Sequence, residues 1–205
     1  MLTAKLIMER LNKEGRVLER REQLSRSIVL QFLRLLYIKH TQANLVVTDI
    51  SNTARTVDSS NLLNMAVAGP AGFSGIIHLQ SATAAISGEN IGIQVGTGTT
   101  APTPTDYVME TRIDHGQAAG EFEYGGTELL ALVISDPNGE FTIRRYFTND
   151  SGGSITVNEV GIYAVASIAD DSFYAFLAAR DKVDPGVAVA DGKILRVTYV
   201  PQITV

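Results

Sequence analysis

Three histidines, a scatter of aspartates and one glycine-rich turn are the residues whose types could support catalysis or ligand binding in this chain. His40, His78 and His115 stand far apart with no paired metal-ligand spacing, so a zinc-type site would have to assemble from distant segments. Asp114 precedes His115, an acid beside a base. Adjacent residues on a strand point to opposite faces, however, and no activated-serine signature accompanies the pair. Asp170, Asp171, Asp181, Asp184 and Asp191 crowd the C-terminal turns. Clustered carboxylates hold hard cations, but the ordered Asp/Asn spacing and terminal Glu of a helix-loop-helix calcium site are missing. They read as solvated turn acids, and a structural divalent cation is an alternative without support in the spacing. Gly96 and Gly98 suggest a phosphate cradle, yet no Gly-Lys-Ser/Thr ending follows and no helix is expected after them, so a turn in a β protein is the reading. No catalytic residue, cofactor or metal ligand is assigned.

The remaining chemistry is that of surfaces. Arg16, Arg20, Arg21, Arg26 and Arg34 form the local basic patch. Glu14, Glu19 and Glu22 interrupt it and no aromatic residues interleave it, which argues against nucleic acid and for ion pairs between subunits. A protein lining a DNA-filled shell could still turn these arginines inward. Residues 1–40 hold nine basic and four acidic residues, a balance of +5, while residues 41–205 hold eight and eighteen, a balance of −10. Such polarity suits contact between the arm of one subunit and the body of another. The candidate interface residues are Arg20, Arg21, Arg26, Phe32, Arg34, Leu36 and Tyr37. Tyr124, Tyr146, Phe147, Tyr163, Phe173, Tyr174 and Phe176 are spread along the chain, a pattern of core and seam residues more than of a sugar platform. Carbohydrate or receptor binding stands as a separate alternative.

These residues need elements to hold them. An apolar fraction of 45% with 19% charged residues fits a folded chain, and the absence of cysteine excludes disulfides and thiolate chemistry. No apolar run approaches the roughly 18 to 20 residues that cross a bilayer. We therefore expect a soluble protein made in the cytoplasm, with no membrane partner. Lys5 to Arg10 and Arg16 to Glu22 predict two strands joined around Asn12 to Gly15. A helix over residues 3–23 is the alternative, weakened by Gly15, which costs about 1 kcal/mol inside a helix. The apolar period then predicts a helix from Ser27 to about His40, capped by Ser25 or Ser27. Its apolar surface is so wide that one sheet would not cover it, so it should lie between layers or between subunits.

Further strands are expected at Leu45 to Ile50, Asn61 to Ala68 and Ile91 to Val95, with a weakly signalled short helix within Ser74 to Ile86. Residues 96–105, rich in Gly, Thr and Pro, predict an extended loop or edge strand, since the two prolines lack donors. Beyond residue 119 come Glu121 to Tyr124, Glu128 to Ile134, Glu140 to Thr148, Ser154 to Val165, Ser172 to Arg180, Lys193 to Tyr199 and Gln202 to Val205. Turns are placed at 136–139, 149–153 and 181–186, and the alternation through Ile155, Val157, Val160 and Ile162 requires a bulge near Glu159. The fold class is mainly β: an antiparallel β-sandwich or jelly-roll-like body with an N-terminal β-hairpin and one amphipathic-to-buried helix. The division expected is a hairpin-plus-helix anchoring module over 1–42 and a β-rich body over 43–205.

Three blocks in order along the chain resemble a family of tailed-bacteriophage virion proteins. They are GRVLERREQLSRSIVLQFLRLLY (Gly15 to Tyr37), IGIQVGTGTTAPTPTDYVMET (Ile91 to Thr111) and RRYFTNDSGGSITVNEVGIYA (Arg144 to Ala164), the last followed by FLAARD (Phe176 to Asp181). The resemblance implies a non-enzymatic virion component that self-associates, a trimer being one form considered, and that contacts a major capsid protein or tail proteins. It implies no catalytic residues. Capsid decoration is the leading expectation, with a tail, baseplate or head-to-tail connector role as the alternative.

Overall fold

The computed structural model describes residues 2–25, 28–41, 43–57, 91–135, 138–168 and 173–204. Asn12 sets the first turn. Its side-chain oxygen accepts the Arg16 backbone N–H at 2.8 Å and its carbonyl accepts that of Gly15, while Gly15 takes a φ of +79°, which glycine adopts without steric cost. The strands so joined are β1 (Leu2–Leu11) and β2 (Val17–Ser25), antiparallel and longer than expected. β1 also pairs along β12 (Lys193–Thr204), from Leu2 opposite Ile203 to Leu11 opposite Ile194. The hairpin is thereby the continuation of a sheet laid down by the far end of the chain.

β12 organises that sheet. One edge carries β1; the other is shared, with Lys193 to Tyr199 pairing β9 (Ile143–Asn149) and Gln202 to Thr204 pairing β8 (Asn138–Glu140). β6 (Glu123–Leu129) continues beyond β9, and β7 (Val133–Ser135) ends the branch beyond β8. A second sheet has the order β11-β10-β5, formed by Phe173–Val189, Ile155–Ser167 and Gly92–Gly96. β3 (Leu45–Thr48) and β4 (Ala54–Val57) form a separate ribbon. The two larger sheets share one core, Leu6, Met8, Phe147 and Val197 meeting Ile93, Val160, Phe176 and Val187. The expected mainly-β, sandwich-like body with its N-terminal hairpin is the fold observed.

Several local expectations are corrected. Helix α1 spans Leu30–Thr41, not Ser27 onward, because Ile28 bridges to Ala179 and the Val29 N–H bonds the Ala178 carbonyl. Ser25 ends β2 and does not cap the helix; the Pro104 carbonyl takes the Leu30 N–H at 2.8 Å instead. Ser27 lies outside the described residues, as do the strand expected at 61–68 and the helix expected within 74–86. The strands expected at Glu121 to Tyr124 and Glu128 to Ile134 are joined by β6, which runs through Gly125 with a register shift between Tyr124 and Thr127, where a Cβ on Gly125 would press on the Tyr146 carbonyl. The turn expected at 181–186 is strand: β11 runs through it to Val189. Asp184, Pro185 and Gly186 are taken up as a bulge, with Lys182 opposite Glu159 and Val187 opposite Val157. The same register shift supplies the bulge expected near Glu159. No described helix is long and apolar enough to cross a membrane.

Candidate functional site

Where the second sheet meets the 97–111 loop, charge is buried. Arg180, on β11 and 4% exposed, faces three carboxylates. Its Nε donates to Glu159 Oε2 at 2.8 Å, its Nη1 to Asp106 Oδ2 at 2.7 Å, and its Nη2 reaches Thr100 Oγ1 at 3.1 Å and Glu110 Oε2 at 3.4 Å. The carboxylates are themselves held by the loop. Glu159 accepts the N–H groups of Glu110 and Thr111, Glu110 accepts the N–H and hydroxyl of Thr100, and Asp106 accepts those of Thr103. Burial alone would raise the Asp106 pKa, but the Thr103 and Arg180 hydrogen bonds hold it below its ordinary value. Glu110 is likewise lowered, chiefly by the Thr100 backbone N–H. Burial works against the Arg180 charge, and its bonds to Asp106 and Glu159 outweigh that and raise its pKa.

This arrangement explains the two glycines that suggested a phosphate cradle. A Cβ on Gly96 would lie 2.5 Å from Glu159 Oε1 and from the Thr111 carbonyl, and one on Gly98 would lie 2.5 Å from the same Glu159 oxygen. They are glycines because a carboxylate passes close over them. With every carboxylate engaged by N–H, hydroxyl or guanidinium donors, the cluster acts as a staple that fastens the Gly/Thr/Pro loop to the second sheet. All of its members fall within residues 91–111, 144–164 and 176–181.

Two more polar ties lace the sheets. Arg145, 1% exposed on β9, donates to the Gly125 carbonyl at 2.7 Å and to those of Ile91 and Ile93 at 2.9 Å, with its guanidinium over the Tyr124 ring. Asp181 accepts from the Tyr199 hydroxyl at 2.8 Å and from Ser25 Oγ at 2.7 Å, joining β11 to β12 and β2. Burial pushes the Tyr199 hydroxyl far up, and the neighbouring Asp181 charge adds to it. The reading of Asp181 as a solvated turn acid is therefore corrected: the strand runs on past it and buries it.

The other residues singled out are dispersed. His40 bonds the Leu36 carbonyl, and His115 accepts the Tyr124 N–H while Asp114 pairs with Arg112, so no acid–base dyad forms. Asp184 pairs with Lys182, and Asp191 accepts the Gly152 N–H. Among the described residues no group of three metal-ligating side chains converges; His78, Asp170 and Asp171 lie outside them. Arg20 pairs with Glu22 and Glu9, and Arg21 with Glu19 and the Pro185 carbonyl. Arg26 is not among the described residues. Arg34 makes a long contact of 3.4 Å to Gln31.

Phe32 and Leu36, with Ile28, line a half-open apolar cleft of about 240 Å³ between the sheets, floored by Ile143, Ile162 and Tyr199. Continuing round α1 from them, Leu33 and Tyr37 are 55% and 56% exposed, so one flank of the helix is covered and the other is not. A second uncovered apolar stretch runs from Leu130 to Ile134, with Leu132 at 63% and Ile134 at 78%. Sequence reading missed that stretch, taking it for half of an ordinary strand. Its signal was Leu-Leu-Ala-Leu-Val-Ile without the polar alternation of a half-buried strand.

Fold and site together define a mainly-β, sandwich-like protein with buried charges that fasten its layers and apolar surfaces left open on a helix and on a sheet edge. No family model, curated protein or solved structure matches the chain.

Proposed function

We propose that the chain is a non-enzymatic structural component of a tailed-bacteriophage virion, acting as a capsid decoration or cement protein through packing against copies of itself and its neighbours. The observation that carries the packing is the pair of uncovered apolar surfaces, Leu33 with Tyr37 and Leu130 to Ile134. Contiguous exposed apolar surface of this kind marks protein contacts. The virion assignment rests on the three sequence blocks and the FLAARD segment that follows them, which together contain the staple and the cleft-lining part of α1. A body stapled by buried ion pairs in place of disulfides suits a part that must hold its shape while its contacts are repeated by symmetry.

The test is electron microscopy of purified particles of the phage that encodes the chain, with this fold fitted into the density. Density at regular lattice positions on the shell is the expected result. Density confined to the portal axis or tail would transfer the protein to the connector, baseplate or tail. A particle that lacks the chain would overturn the proposal.

A further inference from the structure

β2 is a terminal strand of the larger sheet. β1 lies along one side of it, and no described strand pairs with the other. Such an edge is a row of backbone N–H and C=O groups open to another strand. β7, which ends its own branch, is three residues long, whereas β2 runs nine residues with no proline or glycine to interrupt pairing. Its charges balance, Glu19 and Glu22 against Arg20 and Arg21, so no net charge repels a like strand.

The side chains of β2 alternate between two faces. Leu18, Arg20, Glu22 and Leu24 stand on the exposed one, the leucines 48% and 53% exposed. On the other, Arg21 donates to the Pro185 carbonyl, Gln23 to that of Lys182 and Ser25 to Asp181. In an antiparallel ladder hydrogen-bonded and non-hydrogen-bonded pairs alternate, so a two-fold axis between identical strands must pass through a residue that faces its own copy. Of the centres from Glu19 to Gln23, only Arg21 gives a complementary exposed face: Leu18 meets the partner's Leu24, Arg20 meets the partner's Glu22, and symmetry repeats both pairs. A centre at Arg20 or Glu22 sets that charge against itself on the exposed face, and one at Glu19 or Gln23 sets a charge against leucine. Arg20 and Glu22 are already ion-paired along the strand at 3.0 Å, so the Arg21 register closes a ring of alternating charge. Arg21 itself is held by Glu19 at 2.7 Å and by Pro185, which offsets the charge of its copy.

We infer that the outer edge of β2 receives a second copy of this chain, in a two-fold antiparallel ladder over Leu18–Leu24 that joins the two subunits in one continuous sheet. Main-chain hydrogen bonds supply the affinity and the exposed-face pairs set the register. The bulge between the Arg10–Glu19 and Leu11–Val17 pairs falls at Leu18 and ends the ladder on that side. The palindromic pattern selects a copy over an unrelated strand, because a strand of the same sequence supplies the complement at each exposed position. The inference rests on the assembly reading above and names a contact for it.

Sedimentation equilibrium of the full chain and cysteine cross-linking test it. The wild type is expected to form dimers. The chain has no cysteine of its own. Arg21→Cys should therefore join to its copy under mild oxidation, since opposed Cα atoms lie about 4.5–5.5 Å apart, within disulfide reach. Leu18→Cys should not, because the register places its own copy roughly 20 Å away along the strand. A mixture of Leu18→Cys and Leu24→Cys should form mixed disulfides. Glu22→Arg, at an exposed position, sets arginine against the partner's Arg20 and should raise the dissociation constant by about tenfold or more. Exchanging both charges, Arg20→Glu with Glu22→Arg, should restore it. The cysteine variants keep the Arg20–Glu22 pairs, so they decide the register independently of how the hairpin tolerates the exchange. A monomeric wild type, no cross-link from Arg21→Cys, equal cross-linking by Leu18→Cys, or an unchanged dissociation constant for Glu22→Arg would overturn the contact. These measurements use the isolated chain and leave its place in the particle to microscopy, so a dimeric chain absent from the virion sinks only the earlier proposal.

Discussion

Two sets of arginines divide this molecule. Arg20 and Arg21 lie on β2 at the sheet edge, each beside a glutamate of the same hairpin, with solvent sharing the interaction. Arg145 and Arg180 lie inside, the first among backbone carbonyls and the second among three carboxylates. The residue type is the same, but the consequence of losing it differs. An exposed ion pair exchanges one hydrated partner for another and contributes up to about 1 kcal/mol. A buried guanidinium is the counterpart without which other groups are left dry and unpaired. The hairpin arginines are free to serve a surface, whereas the interior ones are committed to the fold.

Arg180→Met presses hardest on this contrast. It strands Glu159, which is buried, and should cost about 3–5 kcal/mol in denaturant unfolding. The amides of the 97–111 loop should lose protection from hydrogen exchange at the same time. Loss of only a few tenths would mean that the backbone donors alone satisfy the carboxylates. Arg145→Met comes next, at about 2–4 kcal/mol, since the carbonyls of Gly125, Ile91 and Ile93 lose a donor.

Acid sharpens the comparison less severely. Asp106 and Glu110 have lowered pKa values in the folded state. Their stabilisation is complete above the ordinary carboxylate pKa of about 4 and drains away as pH falls through the lower folded values. Unfolding free energy should therefore decline below about pH 4, and Asp106→Asn should flatten part of that decline. A variant with the same acid slope as the parent would remove Asp106 from the account. Arg20→Ala and Arg21→Ala should change stability least, each by under about 1 kcal/mol. A larger loss from either would erase the distinction between edge and interior.

The contrast also marks what the sequence made legible. The hairpin could be read because Asn12 and Gly15 act locally, through hydrogen bonds and a backbone angle within five residues. The bulge at Glu159 could be read because a one-residue slip reverses which residues face inward. The course of β11 could not. Asp184, Pro185 and Gly186 are turn formers, and only the pairing of β11 with β10 converts them to a bulge. The helix start was misplaced for the same reason, its first donor being satisfied by Pro104, a residue far along the chain. At the staple, Gly96 and Gly98 were noticed while Asp106, Glu110, Glu159 and Arg180 were not. Their partners lie up to 80 positions away, and nothing in a linear reading brings them together. Arg145 stood in plain alternation with Ile143 and Phe147, which gave its inward direction but not its three acceptors.

The pairing of β1 with β12 has a further consequence in time. Glu9 and Arg196, ion-paired across these strands, are 187 positions apart. On a ribosome adding about 5–20 residues per second, β1 waits on the order of ten to forty seconds for its neighbour to be made. During that wait the hairpin can close with its outer edge bare, and nascent chains on the same message present identical edges to one another. Completion of the sheet is thus a late event, gated by synthesis of the final strand, and the growing chain is most exposed to mispairing just before it.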